Sequence, residues 1–170
     1  MDWCMTSDLL MVLNNVHEQL LARQQTVSVA ESCTGGLVGA ALTEQPGSSG
    51  YFLGGIQAYA NAIKTDLLGV SHETLLSFGA VSEEVASEMA LSIRRLSGSD
   101  WAISTTGIAG PDGGSEEKPI GTVWISVADS EGVFSQKLTL DGDRSAVRHG
   151  TVLAALMLLL EHLLDEETDL

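Results

Sequence analysis

Basic side chains are scarce. The 170-residue chain holds 8 Lys and Arg against 23 Asp and Glu, a net charge of -15 at pH 7. Nucleic-acid affinity rests on clustered cations, so this balance excludes a phosphate-backbone binder. Cysteine is nearly absent. Cys4 and Cys33 have no framework spacing, which argues against a disulfide-stapled secreted fold and for a reduced, cytoplasmic setting. Long apolar runs are missing too. Residues 152–160 form the most apolar stretch, far short of the roughly 20 residues a span needs, so no membrane is expected. Residues 1–10 carry Asp2 and Asp8 and no basic segment, unlike a signal peptide. Histidines 17, 72, 149 and 162 are scattered without ligand spacing, and Glu116-Glu117 reads as solvated loop charge. No metal and no cofactor are expected.

What is present is globular: 44% hydrophobic residues, 18 glycines and a length suited to one domain over residues 1–170, with an acidic tail at 165–170. Thr6 or Ser7 caps a first helix with an apolar face that runs to about Gln24. A β-branched segment at 26–30 reads as a strand, followed by a glycine turn and a helix over 36–43. Residues 45–50 form a turn-rich loop, 51–60 a strand, and Asn61 opens a short helix carrying Lys64. Helices start again at Ser71 and at Ser82, the latter stopping at Ser97-Gly98. Strands at 101–105, 122–128 and 133–140 follow, the last two as a hairpin, and Asp143 opens a final helix to about Leu164. The order implies an α/β domain, a mixed sheet flanked by helices.

Three constellations could carry chemistry. The turn Ala30-Glu31-Ser32-Cys33-Thr34-Gly35-Gly36 feeds a helix N-terminus, aiming backbone N–H groups at one spot suited to a phosphate or an oxyanion. Ser48 and Ser49 precede a strand that ends at Tyr59, and Lys64 follows on the next helix. A Ser–Lys pair can hydrolyse an amide when burial lowers the lysine towards neutrality, with Tyr relaying the proton. Residues 107–119 form a loop too long for a mere connector, and with Thr106 and its glycines it suits a nucleotide's sugar and phosphate. Asp143 and Arg144 add a helix start and a guanidinium that can grip phosphate.

These motifs, with Pro46-Gly47-Ser48-Ser49, Tyr59-Ala60-Asn61-Ala62-Ile63-Lys64, Gly79-Ala80-Val81-Ser82, Gly107-Ile108-Ala109-Gly110-Pro111-Asp112-Gly113-Gly114-Ser115, Lys118-Pro119-Ile120-Gly121-Thr122-Val123-Trp124 and Gly142-Asp143-Arg144, resemble the CinA C-terminal family over roughly residues 24–160. The family often has Tyr-Ser-Asn where Tyr59-Ala60-Asn61 stands, and Ser where Thr106 stands. The resemblance implies a stand-alone amidohydrolase that converts nicotinamide mononucleotide to nicotinic acid mononucleotide and ammonia in pyridine-nucleotide salvage. It implies Ser49 as first choice of nucleophile, Lys64 and Tyr59 in acid–base roles, and Ser32 opposite them, assisting proton transfer or binding the carboxamide. Ser48, Thr34, Gly35, Gly36, Thr106, Gly107, Gly110 and Arg144 would bind substrate, the turn amides holding the oxyanion and Arg144 the phosphate. A homodimer is expected from so small an enzyme with much apolar helix surface. The alternative is a nucleotide-binding competence or DNA-damage accessory protein without catalysis.

Overall fold

A computed structural model describes residues 6–165; Cys4 and the acidic tail beyond Asp165 lie outside them. Among the described residues five strands form one sheet: β1 (Val27–Glu31), β2 (Phe52–Gln57), β3 (Trp101–Gly107), β4 (Thr122–Ala128) and β5 (Val133–Thr139). Their order is β2-β1-β3-β4-β5. β1 runs parallel to β2 and β3, and β4 and β5 add antiparallel strands. Six helices accompany them: α1 (Ser7–Arg23), α2 (Leu37–Leu42), α3 (Asn61–Asp66), α4 (His72–Phe78), α5 (Glu83–Ser97) and α6 (Arg144–Asp165). Residues 48–50, expected as loop, make one 3-10 turn.

Period-two alternation sorts the strands into two faces. Val27, Val29, Trp101, Ile103, Val123, Ile125 and Val127 belong to the core shared with α1, α2 and α6. Ala30 and Ala102 face the other way, towards Val85, Met89 and Ile93 of α5. That second face is small and hydroxylated. Ser104 donates to the Ala86 carbonyl at 2.6 Å, and Ser87 and Ser126 both meet Ser135, which brings α5 close to the sheet. By length and composition α6 could cross a membrane. Here it is a core helix whose Val147, Val152, Leu156, Leu159 and Leu163 stripe is buried.

Capping residues act where the sequence places them. Thr6, Ser71 and Ser82 accept the N–H groups of Leu9, Thr74 and Val85. Asp143 accepts that of Ala146, at the start of α6. Gly98 closes α5 in the left-handed region at φ +69°.

The topology creates a crevice. From β1 the chain moves by α2 to β2 on one side, then by α5 to β3 on the other. Those helices lie on opposite faces, so the connections diverge between β1 and β3. A parallel sheet binds ligands at such a switch point, outside the carboxyl ends of its strands.

Candidate active site

A cavity of about 260 Å³ opens at that point. Ser32 follows β1, Tyr59 follows β2, and Thr106, Gly107, Ala109 and Gly110 come from the end of β3 and its loop. Lys64 from α3 forms part of the floor, and Arg144 stands at the rim.

Lys64 is almost wholly buried, with 1% of its surface exposed. Its Nζ lies 3.0 Å from Ser32 Oγ, 2.7 Å from the Ala58 carbonyl and 3.3 Å from the Tyr59 carbonyl. These partners are a hydroxyl and two carbonyls, none charged. Desolvation therefore pushes the Lys64 amine below its ordinary value, the nearby Cys33 opposing slightly. When neutral, the amine can give its two hydrogens to the carbonyls and turn its lone pair to the Ser32 hydroxyl, the arrangement of a base beside a nucleophile.

Cys33 also lines the cavity and is buried. Burial raises its thiol to about 11, so it is a protonated thiol at neutral pH and not a ready nucleophile.

Ser49 does not join Lys64. Ser48 and Ser49 sit on the 3-10 turn before β2, while Lys64 lies beyond its far end. Six extended residues separate the two ends by roughly 20 Å. That turn packs on α1: a Cβ on Gly50 would come within 2.9 Å of Leu21 Cδ2. Neither serine lines the cavity, so the structure corrects both placements.

The glycine turn is also corrected. It does form an anion site, but the chain's own Glu31 fills it. Glu31, 1% exposed, accepts the N–H groups of Gly36 at 2.9 Å, Val38 at 3.1 Å and Gly39 at 2.8 Å, with the Thr34 hydroxyl at 2.6 Å. Thr34, Gly35 and Gly36 consequently stay out of the cavity. Thr34 is buried, and its carbonyl accepts from Arg148 at 2.8 Å. The N–H groups of Cys33 and Thr34 are not among those bound to Glu31.

Tyr59 is divided. Its carbonyl touches Lys64, but its side chain is 60% exposed and its hydroxyl accepts from Arg144 at 3.0 Å. Arg144 also donates to the Gly110 carbonyl at 2.8 Å, and so bridges the two sides of the cavity mouth. Thr106 lines the wall and donates to the Ala80 carbonyl at 2.7 Å. Ala80 and Val81 also line the cavity, with no site role expected of them, whereas Asp112, another lining residue, belongs to the 107–119 loop expected to take the sugar and phosphate. Only the Gly79-Ala80-Val81-Ser82 run before α5 hinted at the first two. No group of three or more His, Cys, Asp and Glu suited to a metal occurs among the described residues.

The model of the CinA C-terminal domain matches residues 10–163. A CinA-like protein of Gloeothece citriformis is 53% identical over 152 residues, covering 88% of this chain and 36% of that protein. A CinA-like protein of Synechocystis is 57% identical over 125 residues, 74% of this chain and 30% of that one. The chain thus spans about a third of the length of the curated relatives it matches. Among solved structures, the competence/damage inducible protein CihA of Agrobacterium tumefaciens superposes with a TM-score of 0.90 at 39% identity, covering 95% of this chain and 98% of that one. A CinA superfamily protein of Klebsiella pneumoniae gives 0.89 at 34%, covering 94% and 99%.

Proposed function

The chain belongs to the CinA C-terminal domain family, and from that premise we propose that it is an amidohydrolase whose substrate is nicotinamide mononucleotide. The observation that carries this reading is the buried Lys64 amine, 3.0 Å from Ser32 Oγ and bonded to uncharged partners.

In this reading Ser32 is the nucleophile. Neutral Lys64 takes the Ser32 proton as Oγ adds to the carboxamide carbon. The resulting ammonium returns a proton to the leaving nitrogen, the C–N bond breaks and ammonia departs. A nicotinoyl ester on Ser32 remains. Water, deprotonated by Lys64, then opens the ester to release the carboxylate and restore the serine. The N–H group of Cys33, which lines the cavity beside Ser32, is the turn donor left for the oxyanion. At the mouth, Arg144 turns from Gly110 and Tyr59 to the substrate phosphate, and the 107–113 loop takes the ribose.

Purified protein incubated with nicotinamide mononucleotide should release ammonia and the nicotinic acid mononucleotide in equal amounts. Binding of the nucleotide without ammonia release would instead favour a non-catalytic accessory protein.

A further inference from the structure

Glu31 is a buried carboxylate that the reaction does not use, at the last position of the strand that delivers Ser32. Successive strand residues point to opposite faces. Glu31 accordingly faces the cleft between α2 and β2, while Ser32 faces the cavity. The Glu31 side chain reaches forward to the Gly36 N–H, so residues 31–36 form a closed ring with Ser32 inside it. Within the ring the Gly35 N–H donates to the Ser32 carbonyl at 3.1 Å, and the Ser32 N–H is fixed to the Thr105 carbonyl at 2.9 Å.

The hydroxyls at this ring have one direction. A carboxylate only accepts, so the single Thr34 proton goes to Glu31. The Thr34–Thr105 contact at 2.7 Å must then take its proton from Thr105. The chain runs Thr105 to Thr34 to Glu31, each hydroxyl donating to the next, and it ends on the residue next to the nucleophile.

We propose that Glu31 is a positioning residue for Ser32: its carboxylate substitutes for a bound anion at the start of α2 and, through the Thr34–Thr105 chain, fixes the turn that presents the Ser32 hydroxyl to Lys64. The proposal rests on the reading of Ser32 as nucleophile, but not on the identity of the substrate.

The test uses a fluorophosphonate probe, which modifies an activated serine whatever the natural substrate, with the modified residue located by mass spectrometry. Wild type should be labelled at Ser32, and Ser32→Ala should not. Glu31→Gln keeps the shape but turns an NH2 group towards backbone donors. Its labelling rate should fall at least about tenfold, since a misplacement of about 1 Å can cost about 100-fold. Its pH midpoint should stay that of wild type, because Lys64 and not Glu31 is the base. Thr34→Val, which cuts only the hydroxyl chain, should slow labelling less, and it decides the matter if Glu31→Gln does not fold. Leu20→Ala, a destabilised control distant from the turn, should keep the wild-type rate. Wild-type labelling rates in folded Glu31→Gln and Thr34→Val would overturn the proposal, as would an equal loss in Leu20→Ala. Labelling of wild type at Ser32 without turnover of nicotinamide mononucleotide would sink the substrate reading and leave Glu31 to be judged by the labelling rates. No labelling at Ser32 in wild type would overturn both.

Discussion

Raising the pH should speed this protein and stabilise its fold together, through one amine. Hydrolysis by the Ser32–Lys64 pair needs Lys64 neutral. At pH 7 an amine with the ordinary value of 10.5 is neutral in about one molecule in 3,000, so burial can contribute up to about that factor in rate. The kcat/KM profile should therefore climb about tenfold per pH unit and level off below the ordinary lysine range. The stability follows with a definite sign. The folded amine binds its proton less tightly than the unfolded one. Between the two values the unfolded chain holds more protons, so stability rises with pH there, by about 1.4 kcal/mol for each tenfold difference in affinity. Below the folded value the cost is constant, and above the unfolded value it is gone. Cys33 acts the opposite way between about 9 and 11, because its raised thiol keeps a proton that the unfolded thiol loses. The cleanest measurement is thus urea denaturation from pH 6 to 9 on wild type and Lys64→Met, beside ammonia release over the same range. Lys64→Met should be inactive, and its stability should lack the rising limb. Parallel stability curves, or a variant that keeps the wild-type rate profile, would refute the reasoning.

Ser32→Ala should lose most turnover, on the order of the 10⁶ seen when a serine nucleophile is removed elsewhere, whereas Ser49→Ala should stay near wild type; ammonia assays on both variants separate the two serines. Arg144→Ala should raise KM for the mononucleotide more than it lowers kcat, because a remote phosphate is gripped equally in the ground and transition states. Nicotinamide riboside, which lacks the phosphate, should be a poor substrate and nearly insensitive to that change; equal damage to both substrates would place Arg144 elsewhere. Gly55→Ala sets a Cβ about 2.6 Å from the Val29 carbonyl, between β1 and β2. It should cost about 1–3 kcal/mol by overpacking and lower activity further by moving Lys64 from Ser32; urea midpoints and turnover of the folded variant check both.

Much of the fold is legible in the sequence because its signals are local. Caps at Thr6, Ser71, Ser82 and Asp143, the glycine stops and the strand alternation depend on neighbours within a few residues. The parts of the site are legible too, but not their assembly. Ser49 lies 15 positions before Lys64 along the chain (64 - 49), yet an extended β2 intervenes. Ser32 lies 32 positions before it (64 - 32), yet parallel pairing of β1 with β2 brings the two together. Proximity here is a property of strand direction, which no local pattern encodes. The turn does gather amides around an anion, as its sequence implies, but the anion is not a ligand. The residue that fills the site is Glu31, already inside the motif, and an acidic side chain just before a run of free helix amides is the available clue.

The spacing of the cavity residues carries a consequence for biosynthesis. Ser32, Lys64, Thr106 and Arg144 follow one another at intervals of 32, 42 and 38 positions (64 - 32, 106 - 64, 144 - 106). Each thus arrives on a separate structural unit: the β1 turn, α3, the end of β3, and α6. Bringing such distant points together costs loop-closure entropy that only the finished sheet and its helices repay. A nascent chain cut off before α6, or a fragment released by proteolysis between these units, lacks part of the constellation even where its remaining elements are formed. On the proposed reading, hydrolytic activity is therefore expected in one step with the complete native structure. A partly synthesised or damaged copy should then release no ammonia.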